Sequence, residues 1–360
     1  MNFTLNRREL LGLLGAGAAA GLKPTLAAAA RGPEFSKRAV VRTLLKDIPP
    51  TELGTGVTLF HEHLSIDIAR LIPPRPANAR PLPPPIAVDL MVEEVKAAMR
   101  DGITCIVDGG HDDMGRDLDA LKQIGQRTGM HIVASGGYYM ERNYPPEIAS
   151  KSEDQIAEEH AHEATTNHFG AFGEIGESAN AAMSDIEYRL FRAVGKAHLK
   201  TNLPVFTHNA YGTGPTVPKD AGLHQLDAFE SVVVKPQRVA IGHTCSLDDP
   251  EAEVIKAIAK RGAWVGFDRV NTLENMVSDE KRVKKKRVKM LLKFLDAGFA
   301  DQLLLSSDFT GGRTLEGPLY GRTKTVFAPK LVQAGVKEET VRAILYDNPR
   351  RFLAFIPKKS

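Results

Sequence analysis

Eight times between Val57 and Leu305 a short apolar run rich in β-branched residues gives way to a segment with helical spacing. The runs are Val57–Phe60, Cys105–Val107, His131–Ala134, Ala171–Ile175, Pro204–Thr207, Val239–Ile241, Ala263–Phe267 and Leu303–Leu305. Between them apolar residues recur at three and four positions, as in Val92, Val95 and Met99 or Val288, Leu291, Leu292 and Leu295. A chain that alternates strand and helix in this way buries its strands on both faces in a parallel sheet, and eight repeats fit one closed turn of it. The expected fold class is therefore α/β, a (β/α)8 TIM barrel over residues 56–360; an open, doubly wound sheet is the alternative, because alternation alone does not show closure. A length of 360 residues suits one such barrel with insertions. The insertions fall in the proline-rich run Pro73 to Pro85 and in Thr310 to Pro329, both expected as βα loops.

Residues 1–30 break the pattern. Asn6-Arg7-Arg8-Glu9-Leu10-Leu11 precedes an apolar stretch from Leu10 to Leu22, then Leu26 and four alanines. This resembles a twin-arginine signal peptide and implies periplasmic or secreted protein. The stretch of 13 residues falls short of the roughly 20 that span a bilayer, so no stable membrane insertion is expected after cleavage. Residues 31–55 read as a linker and a hairpin, with its turn at Ile48-Pro49-Pro50. The formal charge of +3 falls to about +1 without Arg7, Arg8, Glu9 and Lys23, and the basic run Lys281 to Arg287 keeps helical apolar spacing, so no nucleic-acid partner is indicated. Cys105 and Cys245 would lie at opposite ends of a barrel as free thiols.

The chemistry gathers at strand ends. His61 and His63 are two apart at the end of the first strand and project to one side. Glu174 ends the fourth strand, His208 the fifth, His243 the sixth and Asp308 the eighth. Each alone has an ordinary explanation, such as a helix cap for Asp308. No packing need places four imidazoles and two carboxylates at the carboxyl ends of five strands, whereas divalent cations of borderline softness want that mixture. Glu177 competes with Glu174 for the carboxylate role. His111 could line the pocket, His131 starts a strand at the opposite rim, and His160, His162, His168, His198 and His224 are expected at the surface.

These residues carry a family resemblance. Gly56-Val57-Thr58-Leu59-Phe60-His61-Glu62-His63-Leu64 resembles the first signature of the phosphotriesterase family, within the amidohydrolase superfamily. Gly115-Arg116-Asp117, Gly136-Gly137-Tyr138-Tyr139, Ile241-Gly242-His243, Gly266-Phe267-Asp268-Arg269 and Asn348-Pro349-Arg350-Arg351-Phe352-Leu353 agree with it, in order, across Val40 to Phe355. The resemblance implies two divalent ions, zinc being expected, one held by His61, His63 and Asp308 and the other by His208 and His243, with a bridging hydroxide. Glu174 stands where many members carry a carboxylated Lys; some relatives similar to the phosphotriesterase homology proteins also have Glu there. Asp308 would accept the proton and His243 relay it, while Tyr138 and Arg269 resemble residues that lactonase-like relatives place beside the metals. The implied activity is hydrolysis of a small-molecule ester, lactone or carboxyl ester ahead of phosphoester, in a chain for which a homodimer is compatible. Phosphotriesterase activity proper and a non-catalytic metal-containing binding protein are the rivals, as is packing alone for Tyr138 and simple ion pairing for Arg269.

Overall fold

All eight apolar runs form strands, Val57–Glu62, Ile103–Asp108, His131–Gly136, Ala171–Gly176, Val205–His208, Val239–Ile241, Trp264–Phe267 and Leu303–Leu305, paired in parallel and in sequence order. This is a computed structural model, and it describes residues 32–358 apart from 73–75, 77, 80, 83, 179, 212–216, 271–279 and 312–318, with backbone only over 280–286. The expected signal peptide, residues 1–30, lies outside the described residues. Helices follow the strands, among them Val88–Arg100, Leu118–Thr128, Glu153–Thr166, Asp185–Thr201, Ala221–Glu230, Glu253–Lys260 and Glu280–Asp296. The architecture is a (β/α)8 barrel.

The last strand meets the first without a regular ladder. Asp308 donates its amide to the His61 carbonyl at 3.1 Å, and His63 donates to Phe309 at 2.8 Å. Between the two histidines, the buried Glu62 carboxylate accepts from Ser306 Oγ at 2.7 Å and from the amides of Ser307 and Phe309 at 2.8 Å each. One side chain thus bonds three residues of the four-residue closing segment 306–309. Burial pushes the Glu62 carboxyl up to about 8 despite these donors.

Side-chain alternation divides the strands. Phe60, Cys105, Val107, Val133, Ala171, Phe206, Ala240 and Leu304 pack inside the barrel, and Trp264, Phe352 and Leu353 join them at its floor. Leu59, Ile106, Ile132, Phe172, Ile175, Val205 and Ile241 face the helices. The interior is a packed core and not a channel, as in other barrels of this kind. The floor also takes Val41 and Ile48 from an antiparallel hairpin, Val41–Arg42 with Asp47–Ile48, and Leu53 from the turn that follows it. Its turn lies at residues 43–46 and not at Ile48-Pro49-Pro50 as expected: Pro50 instead opens the 3-10 turn Pro50–Thr55, where its fixed φ and missing N–H cost nothing. The segment expected as a loop from Thr310 to Pro329 is helical from Thr323 onward. No helix among the described residues is long and apolar enough to cross a membrane.

Capping sets several helix starts. Ser152 and Ser184 each accept from the amide three residues on, and Gln155 and Glu187 return the bond, stabilising each start by about 1 kcal/mol. The two helices so begun are joined by the partly buried pair Arg192–Glu153 at 2.7 Å and by Lys196–Asp154 and Lys200–Glu158 at 2.6 Å each, the last two surface pairs of small individual worth.

Candidate metal centre

Two bulges deliver the first and fourth strands to the site. Leu59 pairs with Ile106 and Glu62 with Asp108, three steps against two. The extra residue shifts the alternation after inward-facing Phe60, so that His61 and His63 turn into the barrel mouth. The fourth strand repeats the device, with Phe172 opposite Val205 and Ile175 opposite Thr207. Phe172 and Ile175 both face the helices, and Glu174 between them is turned inward. Gly173 makes this possible: its φ is 144°, and a Cβ there would sit 2.3 Å from the Phe206 ring. His243 and Asp308 leave their strands in the left-handed region, at φ 58° and 50°, a conformation His and Asp tolerate better than most residues.

The result is a buried cluster centred on Glu174. Its Oε1 lies 3.2 Å from His63 Nε2, and its Oε2 lies 3.3 Å from His61 Nε2, 3.0 Å from His208 Nδ1 and 3.2 Å from His243 Nε2. Asp308 Oδ1 stands 3.1 Å from His63 Nε2. His208 Nδ1 and His243 Nε2 approach to 2.7 Å. Three overlapping groups have the spacing to hold an ion: His61, His63, Glu174 and Asp308; Glu174, His208 and His243; and His61, His243 and Asp268. All six side chains expected from the strand ends are brought together. Glu177 is not: it accepts from Gln225 Nε2 at 2.9 Å, behind His208.

Asp268, to which the sequence reading gave no role, fixes the tautomers. Fully buried, it faces His61 Nδ1 at 2.9 Å with one oxygen and His243 Nδ1 at 3.0 Å with the other. Each ring therefore keeps its proton on Nδ1 and turns a bare Nε2 lone pair toward Glu174. Lone pairs facing carboxylate oxygens in a water-excluded pocket repel unless a cation lies between them. This donor set, imidazole nitrogen and carboxylate oxygen with carboxylate support behind the rings, fits divalent metal ions.

Without a metal, protons take that place. Burial would lower His63, yet Asp308 and Glu174 raise it to about 10. Burial likewise opposes the charged form of His61, but Glu174 and Asp268 lift it well above its ordinary value. Burial favours neutral Glu174, and the surrounding imidazoles hold it well below the carboxylate range instead. His208, with burial and His243 both against its charge, falls to about 4.

Two polar groups border the cluster. Arg269 Nε donates to Asp308 Oδ2 at 2.7 Å. The tyrosine at the site is Tyr139, whose ring centroid lies 4.7 Å from that of His208 and whose hydroxyl is 3.4 Å from His208 Nε2. Tyr138, expected there, faces away, its ring 5.0 Å from His160 and 6.0 Å from Tyr144. Gly137 at φ 127° breaks the alternation after the third strand, and Asp113 holds the Tyr139 amide at 2.8 Å, so the second tyrosine is the one turned inward. His160 and His198 are buried, against the expectation of surface placement; His198 Nδ1 is 2.6 Å from the Leu203 carbonyl. His111 is buried too, and burial with the Arg116 charge lowers it to about 3, leaving it neutral. Trp264 lies at the floor, its Nε1 donating to Gln237 at 3.0 Å.

The profile of the Phosphotriesterase family matches residues 39–353. The chain belongs to the phosphotriesterase family. Within that family it is 30% identical over 310 residues to the phosphotriesterase homology protein of Escherichia coli, covering 83% of this chain and 98% of that protein. The crystal structure of the Escherichia coli phosphotriesterase homology protein, complexed with phosphate in its active site, aligns with a TM-score of 0.72 at 27% identity, over 83% of this chain and 99% of that one. The aryldialkylphosphatase of Saccharolobus solfataricus is 28% identical over 325 residues, covering 83% of this chain and 95% of its own length. The N-acetyltaurine hydrolase of Xenopus tropicalis is 24% identical over 357 residues, covering 88% and 98%. Family members thus include hydrolases of more than one bond type, and the metal dependence of the family accords with the cluster around Glu174.

Proposed function

We propose that this chain is an exported, two-metal hydrolase of ester bonds that prefers lactones or carboxyl esters to phosphotriesters. The observation that carries the reading is the buried Glu174 carboxylate with four imidazole nitrogens around it, bordered by the Arg269 guanidinium and the Tyr139 hydroxyl. His61, His63 and Asp308 would hold one ion, His208 and His243 the other, and Glu174 both; zinc suits the donors. Bound ions of this kind polarise a carbonyl or phosphoryl oxygen and make water nucleophilic near neutral pH.

The chain's own residues supply the rest. Asp308 is the acceptor for the proton lost on attack, through Oδ2, and Arg269 now occupies that oxygen. Oδ2 keeps a second lone pair for that proton, so Arg269 can stay paired to Asp308 with its charge beside the reacting atoms. Tyr139 can donate to the substrate oxygen or to the leaving group; His243, with Nδ1 bonded to Asp268 and Nε2 turned to the ion it would hold, has no nitrogen left for the relay expected of it. The only tryptophan is at the floor, so no indole lines the mouth for the aryl groups of a phosphotriester.

A second reading, cleavage of an N-acyl bond, draws on the similarity to N-acetyltaurine hydrolase. The test is a screen of zinc-loaded protein against lactones, carboxyl esters, phosphotriesters, phosphodiesters and N-acyl amino sulfonates. The reading expects the highest kcat/KM on a lactone or carboxyl ester. Efficient turnover of phosphotriesters alone, or of N-acyl compounds alone, overturns the substrate choice; no turnover of any class favours a metal-containing binding protein. Elemental analysis giving fewer than about two metal ions per chain would contradict the paired site. Export is tested by Arg7→Lys with Arg8→Lys, which should hold the precursor in the cytoplasm, and a homodimer by sedimentation.

A further inference from the structure

Arg269 is held from behind. Its amide donates to Cys245 Sγ at 3.2 Å, and its carbonyl accepts from Arg287 Nη1 at 3.1 Å. Arg287 comes from the helix Glu280–Asp296, and its Nη2 also lies 3.4 Å from Ser246 Oγ. It therefore ties the loop after the seventh strand to the loop after the sixth. Among the described residues no carboxylate pairs with it, and burial lowers its pKa. Burying a guanidinium is costly unless its donors are used, and the donor contacts described here go to the Arg269 carbonyl and to Ser246, the mount of Arg269. Arg287 lines a cavity of about 210 Å³ together with Cys245, Ser246, Asp248, Asp249 and Met290.

We propose that Arg287 is a positioning residue: by holding the Arg269 main chain against the sixth-strand turn, it sets the Arg269 guanidinium on Asp308 Oδ2. The chain of contact runs Arg287 Nη1 to Arg269 carbonyl, then Arg269 Nε to Asp308 Oδ2 at 2.7 Å. The cavity beside it is wide enough for a small guanidinium compound to enter once the Arg287 side chain is removed.

The inference rests on the proposed metal-dependent hydrolase, and its test separates the two. In Arg287→Ala the reading expects kcat to fall about tenfold with KM nearly unchanged, since the substrate pocket is intact and the orientation beside the reacting atoms is lost. Methylguanidinium at millimolar concentration should restore several-fold of the loss by refilling the cavity, and Arg287→Lys should retain more activity than Arg287→Ala. Two readouts need no substrate: zinc extraction by a chelator should quicken severalfold and slow again with methylguanidinium, and a crystal structure of Arg287→Ala should show Arg269 off Asp308. Lys289→Ala, an exposed change on the same helix, is the control and should alter none of these. An Arg287→Ala structure that keeps the Arg269–Asp308 pair overturns the proposal, even if the wild type hydrolyses nothing. So does a fall in kcat that tracks lost thermal stability and that methylguanidinium leaves unmoved.

Discussion

Replacing Asp268 by Asn separates the two halves of the proposed metal site. One oxygen of Asp268 takes two donors from His243, the amide at 2.8 Å and Nδ1 at 3.0 Å, while the other takes His61 Nδ1 at 2.9 Å. An asparagine has one acceptor oxygen, and the lower energy orientation gives it to His243, where two bonds are at stake. The amide nitrogen then points at His61 as a donor. His61 must accept on Nδ1 and carry its proton on Nε2, which removes the lone pair meant for the metal. Loss of one such supporting partner typically costs about 10–100-fold in metal affinity, or roughly 1.4–2.8 kcal/mol. The expectation is that Asp268→Asn weakens the His61–His63–Glu174–Asp308 site by that factor and the Glu174–His208–His243 site much less. Asp268→Ala, which frees both rings, should weaken both. Competition with a chromophoric chelator at fixed pH reads the two affinities, and circular dichroism confirms the fold. Equal weakening of both sites in Asp268→Asn, or none, refutes the tautomer argument.

Proton release gives a further check. Burial opposes the charge on His63, but its carboxylate neighbours raise it to about 10, so below that pH the metal-free ring carries a proton that an incoming ion must displace. Zinc affinity should rise with pH from 6 to 9, about tenfold per unit for each proton released, and calorimetry in buffers of different ionisation enthalpy counts those protons. Tyr139→Phe should lower kcat/KM roughly tenfold on the best substrate, and Tyr138→Phe should change it by less than about twofold, measured by initial rates. Val233 closes the helix Ala221–Glu230 in the left-handed region at φ 63° and is 76% exposed. Val233→Gly relieves about 1–2 kcal/mol of backbone strain against a smaller entropic loss, so thermal unfolding should shift upward by about 1–3 °C. An unchanged or lower midpoint would contradict that reading.

The barrel was legible because burial on both faces of a parallel strand leaves continuous apolar runs, and each began or ended within a few residues of its place. The six strand-end residues were legible for a related reason: a functional side chain at the carboxyl end of a buried strand stands out against its apolar neighbours. What lay between the strand end and the side chain's direction was hidden. Tyr138 and Tyr139 are adjacent and chemically identical, and only the backbone at Gly137 decides which turns inward. The bulges that aim His61 and Glu174 leave no mark in an apolar pattern, since one extra residue looks like one more residue of strand. Asp268 stood in view within Gly266-Phe267-Asp268-Arg269, and its place directly after a strand was the available signal. A carboxylate that serves two imidazoles from behind has no spacing rule that reveals it. His160 and His198 show the opposite error: each sits on a helix, and only packing shows that its face of the helix is buried.

The Glu62 clasp has a consequence for the order in which the molecule is put together. Asp308 lies two residues beyond Ser306 and one before Phe309, inside the very stretch that Glu62 captures. The last unit of the chain cannot present its carboxylate to His63 until that stretch has docked against the first strand, more than 240 residues away in sequence. Capture of a metal by the proposed ligand set would therefore be a late event, open only to chains whose first and last strands have met. A metal ion bound to His63 and Asp308 would in turn lock the seam from inside, so that unfolding from the carboxyl terminus would have to break the metal site first. Amide exchange in Leu303–Leu305 and Ser307 should report this directly, fast in metal-free protein and strongly slowed once zinc is bound.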